Sequence, residues 1–81
     1  MTLYKFYASW CKPCKALGEV MSKVEHDIPV VDVDIEHDRK AALVYAVRSV
    51  PTLILVDENG GIVDRHSGIM TEEQFKQFIK G

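Results

Sequence analysis

Apolar positions along this chain alternate between a spacing of two and spacings of three and four, and each change of spacing marks a predicted element. Residues 2–8 (TLYKFYA) are rich in aromatic and β-favouring types and predict a first strand, broken at Ser9-Trp10. From Pro13 onward Leu17, Val20, Met21 and Val24 recur at helical spacing, predicting a helix that ends near His26-Asp27. Pro13 suits the first turn of that helix, where backbone N–H groups lack an intrahelical partner. In Ile28 to Ile35 the residues Val31, Val33 and Ile35 alternate with Asp32 and Asp34, which predicts a second strand. Residues 38–47 suit a second helix with Asp38 near its start. Thr52 to Val56 (TLILV) is continuously apolar, as expected of a strand covered on both faces. Asn59-Gly60-Gly61 predicts a tight turn into a fourth strand, Ile62 to His66. Thr71, with Glu73 and Gln74 nearby, opens a last helix that places Phe75, Phe78 and Ile79 on one face.

The predicted order is β-α-β-α-β-β-α, an α/β fold. The first β-α-β unit must be parallel with a right-handed crossover, and the terminal hairpin antiparallel. A four-stranded mixed sheet flanked by three helices follows. With 81 residues the chain is expected to be a single domain, residues 1–81. A domain of that size buries roughly 60% of the surface its unfolded chain exposes, so its stability margin is thin.

Charge and composition exclude several classes of function. A formal net charge of -2, with no stripe of Lys and Arg, gives no general attraction to nucleic acid. No apolar run approaches the ~20 residues of a membrane span. The opening MTLYKFYASW lacks the basic and long apolar regions of an export signal, so a cytoplasmic location is expected. A small acidic chain of this kind is expected to be a monomer.

The turn after the first strand carries Trp10-Cys11-Lys12-Pro13-Cys14, at the carboxyl end of the sheet where open α/β folds place their sites. The chain has two cysteines, Cys11 and Cys14, and a bridge closing so short a loop removes little entropy from the unfolded chain. Such a pair in the cytosol reads as redox or metal chemistry. A closed zinc site needs four ligands, and His26, His37 and His66 are scattered singly, so no metal and no cofactor is expected. In the redox reading, Cys11 sits ahead of the helix, where unpaired N–H groups favour a thiolate. Cys11 attacks a substrate disulfide, and Cys14, one turn on, attacks Cys11 and releases the reduced substrate. Lys12 adds a neighbouring cation, and Pro13 stiffens the turn between the sulfurs.

FYASWCKPCK resembles the W-C-x-P-C motif of thioredoxins, and SVPTLILVDENGGIV resembles the family's segment with a cis-proline, a strand and a hairpin turn. Gly68 is placed like a glycine bordering the family's substrate groove. The resemblance runs from Leu3 to Ile79 and implies a thioredoxin fold. It implies that Cys11 is the nucleophile, Cys14 the resolving thiol and Trp10 the aromatic flanking the substrate surface. It also implies that the Val50–Pro51 bond is cis and faces Cys11, with the Val50 backbone pairing to the substrate peptide. Implied partners are disulfide-containing client proteins, ribonucleotide reductase among them, and an NADPH-dependent thioredoxin reductase.

The chain departs from the family in three respects. It has no room for the usual additional strand and helix at its start, so its plan is closer to glutaredoxin or to the short thioredoxins of phages and archaea. Arg65-His66-Ser67-Gly68-Ile69-Met70 nevertheless lacks the Gly-Gly and acidic pair that holds glutathione in glutaredoxins. Lys12 stands where thioredoxins usually have glycine; a lowering of the nucleophile's pKa by one unit is worth about 30 mV in potential, an upper limit for an exposed charge. Lys5 stands where the family usually buries an aspartate, and Asp32 falls where it has a lysine partner. A reciprocal ion pair beneath Cys14, with Lys5 stabilising a thiolate, is the expectation; the alternative is that Lys5 reaches solvent along its apolar stem and Asp32 is simply exposed. The functional alternatives are a glutathione-dependent, glutaredoxin-like reductase and a redox-independent binding module on the same fold.

Overall fold

The computed structural model describes residues 1–81. Its elements are β1 (Thr2–Tyr7), α1 (Lys12–Ser22), β2 (Val30–Asp34), α2 (Arg39–Val44), β3 (Thr52–Val56), β4 (Ile62–Ser67) and α3 (Glu72–Phe78). The strands form one sheet in the order β2-β1-β3-β4. β1 and β2 run parallel, so α1 is the crossover between them, whereas β3 is antiparallel to both β1 and β4. This is the mixed sheet with three helices that the hydrophobic pattern predicts.

The central position of β3 accounts for its unbroken apolar run. Successive side chains of a strand point to opposite faces, so a strand covered on both sides buries apolar side chains on each, here Leu53 to Val56, with Thr52 buried at its start. All five β3 residues are buried. On one face Leu53 and Leu55 join Leu3, Leu17, Met21, Phe75 and Phe78 in the cluster beneath α1 and α3. On the other, Ile54 and Val56 pack with Phe6 and, at the periphery, Tyr4, Val33 and Tyr45 under α2. Burying a side chain of this size is worth about 1.5–3 kcal/mol, so these two layers supply most of the drive to fold.

Several boundaries differ from the sequence expectation for local reasons. α1 ends at Ser22, four residues before His26. There the Lys23 and Val24 N–H groups turn back to the Val20 and Met21 carbonyls, each at 3.2 Å, and tighten the last turn. Pro29 disfavours a helical Ile28, and β2 starts only at Val30, although the Leu3 N–H still reaches the Pro29 carbonyl at 2.9 Å. The β3–β4 connection is held by the Asp57 carboxylate, which accepts the Asn59 and Gly61 N–H groups at 2.9 and 2.8 Å. β4 runs one residue further than expected, to Ser67. At α3 the expected start is a reciprocal cap: the Thr71 hydroxyl accepts the Gln74 N–H at 3.1 Å, and Gln74 Oε1 accepts the Thr71 N–H at 2.8 Å.

α2 is shorter than the predicted 38–47. Asp38 caps it, accepting the Ala41 N–H at 3.0 Å, but the helix stops at Val44. Ala46 adopts φ 53, the left-handed conformation, and the Val47 N–H reaches back to the Ala42 carbonyl at 2.8 Å. Arg65 of β4 donates from Nη1 to the Tyr45 carbonyl at 2.9 Å and from Nη2 to the Ala46 carbonyl at 3.3 Å, closing the helix end. Alanine resists this conformation by about 1 kcal/mol and glycine does not. Ala46→Gly is therefore expected to raise stability by up to about 1 kcal/mol, read as a higher urea midpoint with an unchanged slope.

Candidate active site

The carboxyl end of β1 runs into the turn that carries the cysteines. Ala8 is buried, and its carbonyl accepts the Cys11 N–H at 3.1 Å, which folds Ser9-Trp10 outward. Cys11 has extended backbone and occupies the cap position of α1. Its Sγ accepts the Cys14 N–H at 3.1 Å, filling the role a Ser or Asp oxygen plays at other helix starts. The helix thus aims an unpaired N–H and the positive end of its dipole at the sulfur, the environment that stabilises a thiolate. Cys14 lies one turn on, its Cα 5.3 Å from that of Cys11, and the two are joined as a disulfide.

Both cysteines are only 3% exposed. They cluster with Ala8, and Tyr7, Ile35 and Val50 pack around them. Lys12 and Pro13 are exposed in the first turn, and Trp10 is 67% exposed beside the pair. The Val50–Pro51 bond is cis. Pro51 is buried, and its carbonyl accepts the Gly68 N–H at 2.8 Å, tying the loop after β4 to the loop before β3. Gly68 has φ +96, a conformation other residues resist. The Thr52 hydroxyl donates to the Ser49 carbonyl at 2.8 Å and bonds the Ser67 hydroxyl at 3.1 Å, pinning the same two loops. Cys11, Cys14 and Val50 are therefore in one cluster; Trp10 and Pro51 adjoin Cys11 and Val50 along the chain, and Gly68 is tied to Pro51.

The expected Lys5–Asp32 ion pair is not formed. The two residues are register partners on neighbouring strands, but the ion pairs of the structure are His37–Asp34 and Lys76–Glu73. The reason lies at the sheet edge. β2 is an outer strand and Asp32 is exposed, so water solvates its carboxylate better than a lysine would. Lys5 is half-buried, and its ammonium runs instead under α1, where Nζ lies 2.9 Å from the place a Cβ on Gly18 would occupy.

The histidines stand apart. His26 Nδ1 accepts the Ile28 N–H at 3.1 Å, and His66 Nε2 bonds the Ile69 carbonyl at 3.2 Å. Asp34 accepts the Glu36 N–H at 2.9 Å and meets His37 Nδ1 at 2.8 Å, and these contacts, the Glu36 N–H foremost, hold its carboxyl below the usual carboxylate range. No three His, Cys, Asp or Glu side chains converge as metal ligands.

Two neighbours of the cysteines escape a residue-by-residue sequence reading. Ile35 reaches the site because β1 and β2 are parallel and in register, which brings its N–H to the Tyr7 carbonyl at 3.0 Å. Gly18 is legible only as a glycine inside a helical pattern, a place where it costs stability and so calls for a reason.

Comparison with known proteins agrees with this geometry. The family model described as Thioredoxin matches residues 1–81. The mitochondrial thioredoxin of Bos taurus is 40% identical over 79 residues, covering 93% of this chain and 47% of the bovine protein. The chain thus spans about half the length of that relative. The thioredoxin of Mycoplasmoides gallisepticum is 33% identical over 78 residues, covering 93% of this chain and 77% of its own length. Among solved structures, a mutant thioredoxin from Halobacterium salinarum superposes with a TM-score of 0.88 at 34% identity, over 98% of this chain and 71% of that one. Family model, relatives and fold coincide, and the chain belongs to the thioredoxin family.

Proposed function

We propose that this chain is a thiol–disulfide oxidoreductase that reduces protein disulfides through Cys11 and Cys14. The observation that carries the reading is the cysteine disulfide at the start of α1, with Cys11 Sγ as the helix cap. Cys11, as thiolate, attacks one sulfur of a client disulfide; the client's second sulfur leaves as a thiolate and takes up a proton. Cys14 then attacks Cys11 Sγ, the Cys11–Cys14 bond forms, and the first client sulfur departs. Two electrons pass to the client, and the cysteine pair is left oxidised. Both cysteines are nearly covered, and membership of the thioredoxin family supports a client that approaches past Trp10, Val50, Pro51 and Gly68. Membership of the thioredoxin family supports an NADPH-dependent thioredoxin reductase as the source of electrons, with ribonucleotide reductase among the clients. A monomeric carrier in the reducing cytoplasm fits this cycle. No helix of the structure is long and apolar enough to cross a membrane.

The test is equilibration of the pair against glutathione and dithiothreitol buffers, combined with reduction of insulin disulfides. A potential between about -270 and -200 mV with turnover is expected of a reducing carrier. Failure to form the disulfide reversibly, or a potential near the roughly -120 mV of a strong oxidant, would overturn the reading. Turnover sustained by glutathione alone, and not by a thioredoxin reductase, would place the chain with the glutaredoxin-like reductases.

A further inference from the structure

Lys5 is the cation that the ion pairs leave over on the inner face of the sheet. Leu3, Lys5 and Tyr7 alternate onto the side of β1 that α1 covers. Lys5 has no carboxylate partner, and its Nζ fills the space left by the missing side chain of Gly18. Gly18 is four residues beyond Cys14, so the two lie on one face of α1, one turn apart, about 5–6 Å between Cβ positions. Lys5 and Cys14 moreover line the same small cavity of about 150 Å³, whose surface is almost wholly apolar. A charge there is felt more strongly than one in open water. Other ionisable groups around it are Tyr7 of β1 and Lys15 of α1, and Asp32 and His26 line a second cavity that Lys5 also borders. No carboxylate borders the cavity that Cys14 shares with Lys5.

We propose that Lys5, seated beneath α1 by Gly18, is a positioning residue for the resolving step: its ammonium stabilises the Cys14 thiolate that attacks Cys11. The inference rests on the reading of Cys11 and Cys14 as the exchanging pair. In the step concerned, the Cys14 S–H loses its proton to solvent, and the thiolate attacks Cys11 Sγ in the mixed disulfide. The Cys11–Cys14 bond forms as the bond from Cys11 to the client sulfur breaks, and the client leaves as a thiolate. Lys5 neither gives nor takes an electron pair. Its effect is to raise the fraction of Cys14 that is ionised at a given pH.

Lys5→Met keeps the length and apolar stem of the side chain and removes the charge. Loss of the cation is expected to move the Cys14 titration upward by about one pH unit. At pH 7 the thiolate fraction then falls about tenfold, while the more basic thiolate is about threefold more nucleophilic, so resolution slows by roughly threefold. Alkaline of both midpoints the order reverses, and the variant resolves faster by about that factor. A residue with a merely structural role does not produce profiles that cross.

The measurement is stopped-flow reaction of the fully reduced protein with dithiobis(nitrobenzoate) across pH. Attack by Cys11 releases one nitrothiobenzoate, and attack by Cys14 releases the second. Crossing pH profiles for the second release support the proposal, and coincident profiles for wild type and Lys5→Met overturn it. Absence of a second release from the wild type would instead overturn the exchanging pair itself. Should Lys5→Met not fold, Gly18→Ala decides by the same criterion. Its Cβ displaces the Lys5 head, while alanine's better helix propensity raises the melting temperature, so chemistry and stability move in opposite directions.

Discussion

Cys14→Ser is expected to stop the cycle after its first step and leave a client bound covalently to Cys11. The contact that supports the Cys11 thiolate comes from the backbone N–H of residue 14 at 3.1 Å, and this donor survives the substitution. The first attack should therefore proceed near its normal rate. The second cannot, because a hydroxyl is not ionised near neutral pH and the thiolate is the nucleophile. Incubated with an oxidised client, the variant should accumulate a one-to-one adduct, seen by mass spectrometry and released by dithiothreitol. Cys11→Ser should form no adduct, and in either variant turnover should fall roughly a thousandfold or more. Retention of biological activity by both variants would assign the fold to partner binding alone.

Much of this site is readable in the sequence because its chemistry is local. Cys11, Lys12, Pro13 and Cys14 lie within one helical turn, so their geometry follows once the helix start is placed, and Pro13 with the strand before it places that start. Helix caps are legible for the same reason: Asp38 and Thr71 act on N–H groups three residues away. Features that depend on the sheet are harder. The Lys5 and Asp32 register follows from β1–β2 pairing, but whether their heads meet depends on which strand is outermost and where Gly18 leaves room. Sequence reasoning supplies the charges and misplaces the partner. The ends of α1 and α2 are misjudged because apolar periodicity continues past the point where backbone geometry turns. Val24 is buried beyond the last full turn of α1, and Ala46 turns left-handed with apolar residues on both sides. Leu43 and Val44 look like core positions of α2 yet are 81% and 71% exposed, since a six-residue helix has only one narrow face to bury.

Phe75→Ala is the substitution expected to cost the most stability. Phe75 is fully buried in the cluster that joins α3, α1 and the inner face of β1 and β3, with the His26 ring edge-on at 5.6 Å. Removing a buried Phe ring costs about 3–5 kcal/mol, from lost transfer energy and from the cavity left behind. The whole stability of an 81-residue domain is about 4–12 kcal/mol at typical values per residue, so this one ring carries a large part of the margin. Leu43→Ala removes a side chain of similar apolar character from an exposed position and should change stability by no more than about 0.5 kcal/mol. Paired urea denaturation of the two variants tests whether burial, and not hydrophobicity as such, sets the cost. The effect should also reach the chemistry. Leu17 and Met21, which anchor α1 to the sheet, belong to the same cluster as Phe75, and α1 holds Cys11 at its cap. In Phe75→Ala the amide hydrogens of α1 should therefore exchange faster along with those of α3. Full protection of α1 with loss confined to α3 would show that the helix carrying the cysteines is held by β1 and β3 alone.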